Sequence, residues 1–79
     1  LEPVMRLDLA VPEDFLGATF ALLGARQAKI EEMDDHAGQK LIRALAPMHA
    51  LFGFAGALRS ATQGRAGLIM QFLRFDAAL

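Results

Sequence analysis

Cysteine is absent from the 79 residues, so neither disulfides nor thiolate metal sites can support this fold. Such usage fits a reducing compartment. No apolar run reaches the ~18 residues that a membrane-spanning helix needs, because charged residues interrupt every segment. A membrane is therefore not expected among the partners. None of the glycines opens a GxxxxGK[ST] phosphate loop, which excludes nucleotide hydrolysis by that route within this chain. The chain opens at Leu1 with no initiator Met, basic leader or small-residue cleavage site. It is expected to be a piece of a longer protein, without a targeting signal of its own. A module of that kind is expected to expose a face that serves as an interdomain contact.

What is present is a hydrophobic fraction of 54%, rich in Ala, Leu and Phe, which excludes a disordered chain. The length suits one domain over residues 1–79, of a size at which a single core is only just sufficient. Net charge is −1, but it is unevenly spread. Residues 1–35 carry eight acids against Arg6, Arg26 and Lys29, a balance of −5. Residues 36–79 carry Asp76 against Lys40, Arg43, Arg59, Arg65 and Arg74, a balance of +4. This asymmetry is compatible with one basic face that meets phosphate and one acidic face that avoids it.

Residues 4–11 (VMRLDLAV) alternate, with Arg6 and Asp8 on one face and Met5, Leu7 and Leu9 on the other. A period of two predicts a half-buried strand. Pro12 ends it and suits the first turn of a helix, with Glu13 and Asp14 well placed for the helix dipole. Phe15, Leu16, Thr19, Phe20, Leu22 and Leu23 recur at helical spacing, and the helix should fade near Gln27. A short strand is predicted over 28–34, a turn over 35–38 and a strand over 39–46, closed by Pro47. A second helix follows Pro47, with Met48, Leu51, Phe52, Ala55 and Leu58 on one side and Gly64 as a left-handed cap. Residues 65–75 (RAGLIMQFLRF) are apolar on both faces, as a central strand would be. The order β-α-β-β-α-β predicts an α+β, ferredoxin-like sandwich: a four-stranded antiparallel sheet with two helices on one face. Val4, Ile42 and the strand over 68–73 should supply its buried face, and Ala18, Ala21, Ala55 and Ala57 should let the helices approach closely.

Few residues offer chemistry. His36 and His49 lack a second ligand at metal spacing and read as surface histidines. Glu31, Glu32, Asp34 and Asp35 lack the glycine and distal glutamate of a calcium loop and read as a solvated strand edge. Gly53-Phe-Ala-Gly56 mimics a GxxG nucleotide clamp, but within an apolar helix it reads as helix–sheet packing. An acylphosphatase-type enzyme is excluded: the chain has no asparagine to serve as catalyst, and Glu13-Asp14 would repel a bound phosphate. No catalytic or metal site is expected. Residues 58–65 (LRSATQGR) differ, because polar side chains cluster where a helix gives way to a strand. Arg59 and Arg65 offer planar forks to phosphate, and Ser60, Thr62 and Gln63 add donors that suit phosphate, ribose or base edges. That pattern reads either as an RNA-contacting corner or as a capped helix terminus with solvated side chains.

The run 53–65 (GFAGALRSATQGR) resembles the GYATDLRSxTQGR signature of the last domain of elongation factor G. Further segments match in the family's order. Glu2-Pro3-Val4-Met5 resembles its EPxM, and residues 12–17 (PEDFLG) its PEEYLG helix start. Residues 30–33 are similar to IxGM, residues 41–44 (LIRA) to VVRA, and Met70 with Phe72 to the final MxF. The resemblance implies a cytoplasmic translational GTPase that drives tRNA and mRNA through the ribosome. In that protein this domain, which is not itself an enzyme, would dock on rRNA of the large subunit and contact the parent's other domains. GTP and Mg would belong to a domain elsewhere in the parent, with no cofactor in this one. Arg59, Ser60, Thr62, Gln63 and Arg65 take the rRNA-contacting positions, with Arg26 at the end of the first helix as a further candidate.

The sequence also departs from the family pattern. Val11 stands where a capping Thr is usual, Ala18 replaces an acidic residue, and Arg26-Gln27-Ala28 replaces Arg-Arg-Gly. Gly56-Ala57 stands for Thr-Asp, and the closing FDHY becomes Phe72-Leu-Arg-Phe75. These changes point to a diverged paralogue. Two other readings compete with ribosome docking: a small-molecule-sensing domain that dimerises edge to edge, and a protein-interaction domain that does not bind ribosomes.

Overall fold

The computed structural model describes residues 1–77. Strand β1 spans Glu2–Pro12 and is followed by one 3-10 turn, Glu13–Phe15, and helix α1, Leu16–Ala25. Strands β2 (Lys29–His36) and β3 (Gln39–Pro47) form a hairpin, a second 3-10 turn covers Met48–Ala50, helix α2 spans Phe54–Ala61, and β4 spans Gly67–Asp76. All pairings are antiparallel and the strand order is β2-β3-β1-β4. The expected ferredoxin-like sandwich is therefore present.

The core lies between the helices and the two central strands. Leu7, Leu9 and Val11 of β1 and Ile42, Ala44 and Ala46 of β3 meet Leu23 of α1 and Phe54 and Leu58 of α2. Ala44 and Ala46 provide the small-residue surface on which the helices settle. The helix alanines do not: Ala18, Ala21 and Ala55 are exposed, and Ala57 is half-buried. Phe54 is fully buried, worth about 1.5–3 kcal/mol relative to exposure.

Several boundaries differ from expectation. The predicted second helix breaks after one 3-10 turn, because Gly53 turns left-handed (φ 73°) and α2 restarts at Phe54. The buried stripe becomes Leu51, Phe54, Leu58 and Thr62, while Met48 is exposed and Phe52 stands 83% exposed. Gly53-Phe-Ala-Gly56 is thus a helix start; a Cβ at Gly56 would meet open space, so this glycine serves no helix–sheet contact. Strand β2 runs two residues further than expected, to His36, and closes on Ala37 and Gly38, both at positive φ. That pair is the two-residue turn whose twist suits a hairpin.

Strand β4 is an edge strand rather than a central one. Leu68 is half-buried against the core, but Ile69, Met70, Phe72, Leu73 and Phe75 are all exposed. Two-sided apolarity signals cover on both faces without saying what supplies it. Here this domain's helices cover only the middle of the sheet.

The register defines two ends. The start of β1, the ends of β3 and β4, the end of α1 and the start of α2 share one pole, where Val4 faces Pro47 and Glu2 faces Asp76. The opposite pole holds the turn ahead of α1, the β2–β3 hairpin and the corner from α2 to β4, where Pro12 faces Gln39 and Ala10 faces Gly67.

Candidate nucleic-acid interface

The corner after α2 is built by its backbone. Thr62 caps the helix, its N–H donating to the Leu58 carbonyl at 3.0 Å, and the Gly64 N–H reaches back to the Arg59 carbonyl at 2.8 Å. This closure needs a left-handed residue between them, and Gln63 supplies it (φ 55°), followed by Gly64 in the same region (φ 75°). The expected glycine cap is therefore preceded by a glutamine in a conformation that costs a side-chain-bearing residue about 1 kcal/mol.

Thr62 faces inward. It is fully buried, its hydroxyl donating to the Leu58 carbonyl at 2.7 Å and accepting from the Ala66 N–H at 3.3 Å. Both hydrogen-bonding capacities are spent on joining α2 to β4, so this hydroxyl holds the corner and does not face a partner. Arg59, Ser60, Gln63 and Arg65 are exposed around it. Beside them a small groove of about 190 Å³ runs between α2 and β4, lined by Leu58, Arg59, Gly64 and Leu68.

Arg26 lies at the opposite pole. Its guanidinium donates to the carbonyls of Ala50 (3.2 Å) and Phe52 and sits 5.9 Å from the centre of the Phe54 ring. It ties the end of α1 to the approach to α2, and the structure does not bring it together with the corner.

The charge asymmetry along the chain does not become two faces, because the antiparallel sheet interleaves the halves. Arg43 pairs with Asp8 at 3.0 Å and Lys40 with Asp35 at 2.6 Å across the two halves, while Arg74 pairs with Asp76 of its own strand at 3.1 Å. Hydrogen bonding to these carboxylates raises the pKa of Lys40 above its ordinary 10.5 and that of Arg43 above its ordinary value. Among the described residues, Arg59 and Arg65 have no carboxylate partner. Two unneutralised guanidinium groups thus flank one hydrogen-bonded turn, at a pole that also carries Glu13 and Asp14.

The acidic strand and the two histidines fall as expected, exposed to solvent. Strand β2 is an exposed edge along its whole length, with Glu31, Glu32, Asp34 and Asp35 in solvent. Among the described residues no three His, Asp or Glu side chains group as metal ligands. His49 is exposed and lies 3.3 Å from Glu2. No helix among the described residues is long and apolar enough to cross a membrane.

A ferredoxin-like sandwich hosts many activities, so architecture alone names none. The comparison with known families is specific: the family model described as elongation factor G C-terminus matches residues 1–78. The chain belongs to that family. A crystal structure of a Thermus thermophilus protein superposes with a TM-score of 0.85 at 25% identity, over 92% of this chain. The matched region is only 11% of the Thermus chain.

Proposed function

We propose that this domain docks its parent factor on the large ribosomal subunit, with Arg59, Ser60, Gln63 and Arg65 contacting rRNA. The parent is then a translational GTPase that promotes tRNA–mRNA translocation, acting in the cytoplasm and holding GTP and Mg in another domain. The observation that carries the reading is the pair of arginines without a carboxylate partner on a hydrogen-bonded corner, in a domain whose other arginines, among the described residues, are paired or tied down. An arginine kept out of ion pairs retains its full attraction for phosphate, and a fixed backbone limits the ordering cost of the contact. Thr62 contributes by holding the turn, and Arg26 by bracing the far pole.

The test is binding of the domain to large subunits across a salt series. Replacing Arg59 or Arg65 by Ala should cost about 1–3 kcal/mol and lower the salt slope by about 1 for each phosphate contact removed. Unchanged affinity and slope in the Arg59→Ala/Arg65→Ala double variant would sink the proposal.

A further inference from the structure

Hydroxyl groups are scarce in this chain, and all but one are out of reach. There is no tyrosine, the threonines are Thr19 and Thr62, and Ser60 is the single serine. Thr19 and Thr62 are fully buried, their hydroxyls donating to the carbonyls of Phe15 at 2.9 Å and Leu58 at 2.7 Å. Ser60 is exposed, and its hydroxyl makes no hydrogen bond among the described residues. It stands one residue before the end of α2 at Ala61. It also stands two residues after the buried Leu58, about 200° around the helix, so it points away from the core.

Ser60 sits within the charge of the corner. Arg59 directly precedes it, Arg65 follows across the turn, and neither has a carboxylate partner among the described residues. Those arginines give an enzyme a basic motif to recognise by charge. A phosphate ester on the serine oxygen carries about −1.5 to −2 charges at neutral pH, enough to cancel both guanidinium groups. The ester also lies in the last turn of α2, where the helix dipole repels an anion. One effect removes the attraction for RNA phosphate, and the other loosens the turn that Thr62 and Gly64 close. We infer that Ser60 is a phosphorylation site, at which a serine kinase switches off the domain's hold on rRNA. The kinase transfers the γ-phosphoryl group of ATP. The bond from Ser60 Oγ to phosphorus forms as the bond from phosphorus to the ADP oxygen breaks, and the hydroxyl proton passes to a base of the kinase. The inference rests on the proposed rRNA contact.

The experiment compares the full-length factor unmodified and with phosphoserine installed at position 60 by amber suppression, binding to large subunits across a salt series. Phosphoserine should weaken binding on the order of tenfold and lower the salt slope by about 2, one for each arginine cancelled. Equal affinity and slope in the two forms overturns the inference. The Arg59→Ala/Arg65→Ala variant, run alongside, separates the two readings. If it also binds like wild type, the docking proposal itself has failed; if it alone binds weakly, docking stands and the switch falls. Occurrence is read by fragmentation mass spectrometry of the factor purified from its native cells, growing and starved. Phosphate on Ser60 in either state supports the inference, and its absence from both overturns it.

Discussion

The two helices end alike and are used differently. Each closes with a 6→1 hydrogen bond, from the Ala28 N–H to the Leu23 carbonyl and from the Gly64 N–H to the Arg59 carbonyl. Each places a glutamine in the left-handed position, Gln27 at φ 59° and Gln63 at φ 55°. After α1, the neighbouring Arg26 turns inward to backbone carbonyls and the Phe54 ring. After α2, the inward side chain is Thr62, and Arg59 and Arg65 remain in solvent. One cap geometry therefore serves a structural clamp at one pole and an exposed basic corner at the other. What separates them is the environment of the arginine, not the cap.

Breaking the clamp should give the largest effect. Arg26→Ala leaves two carbonyls without their charged donor and should destabilise the domain by about 2 kcal/mol, read by urea denaturation, while ribosome affinity changes little once the protein is folded. Thr62→Val removes the hydroxyl that bridges Leu58 and Ala66 at nearly constant shape and should cost about 1 kcal/mol of stability. Arg59→Ala and Arg65→Ala should do the opposite of Arg26→Ala. Their stability should stay within about 0.5 kcal/mol of wild type while binding falls. If all three arginine variants behave alike, the division between clamp and corner is wrong.

Finer effects sharpen the same comparison. Gln63→Gly relieves a left-handed side chain and should stabilise the domain by about 0.5–1 kcal/mol, as should Gln27→Gly. Only Gln63→Gly should weaken binding to large subunits, because only that amide stands at the corner. The smallest effect concerns Lys40, whose pKa is raised by Asp35. Its contribution is fully present below the ordinary 10.5 and is lost as pH rises through the higher folded value. Thermal midpoints taken above that pH should therefore fall less steeply in Lys40→Met than in wild type.

Much of the fold was legible because period is a local property. Arg6 and Asp8 alternate with Leu7 and Leu9, and that pattern needs no tertiary knowledge to read as a strand. The restart of α2 was not legible, since Phe52 and Phe54 are equally apolar and only the left-handed Gly53 decides which one turns inward. The place of β4 was missed for a related reason. A segment apolar on both faces looks the same whether its cover comes from its own domain or from outside. Of the candidate site, the cluster from Arg59 to Arg65 was visible as a run of polar residues. That Thr62 would face inward was signalled only by its spacing four residues after Leu58, which continues the buried stripe.

By itself the sequence determined the order of elements, the family and the position of the polar corner, all of which depend on residues close together in the chain. Tertiary structure alone decided which charges stay free. Asp8 neutralises Arg43 and Asp35 neutralises Lys40 only because antiparallel pairing sets those strands side by side. The basic half of the chain thereby loses its separate character. What survives of it is Arg59 and Arg65, which have no carboxylate partner among the described residues.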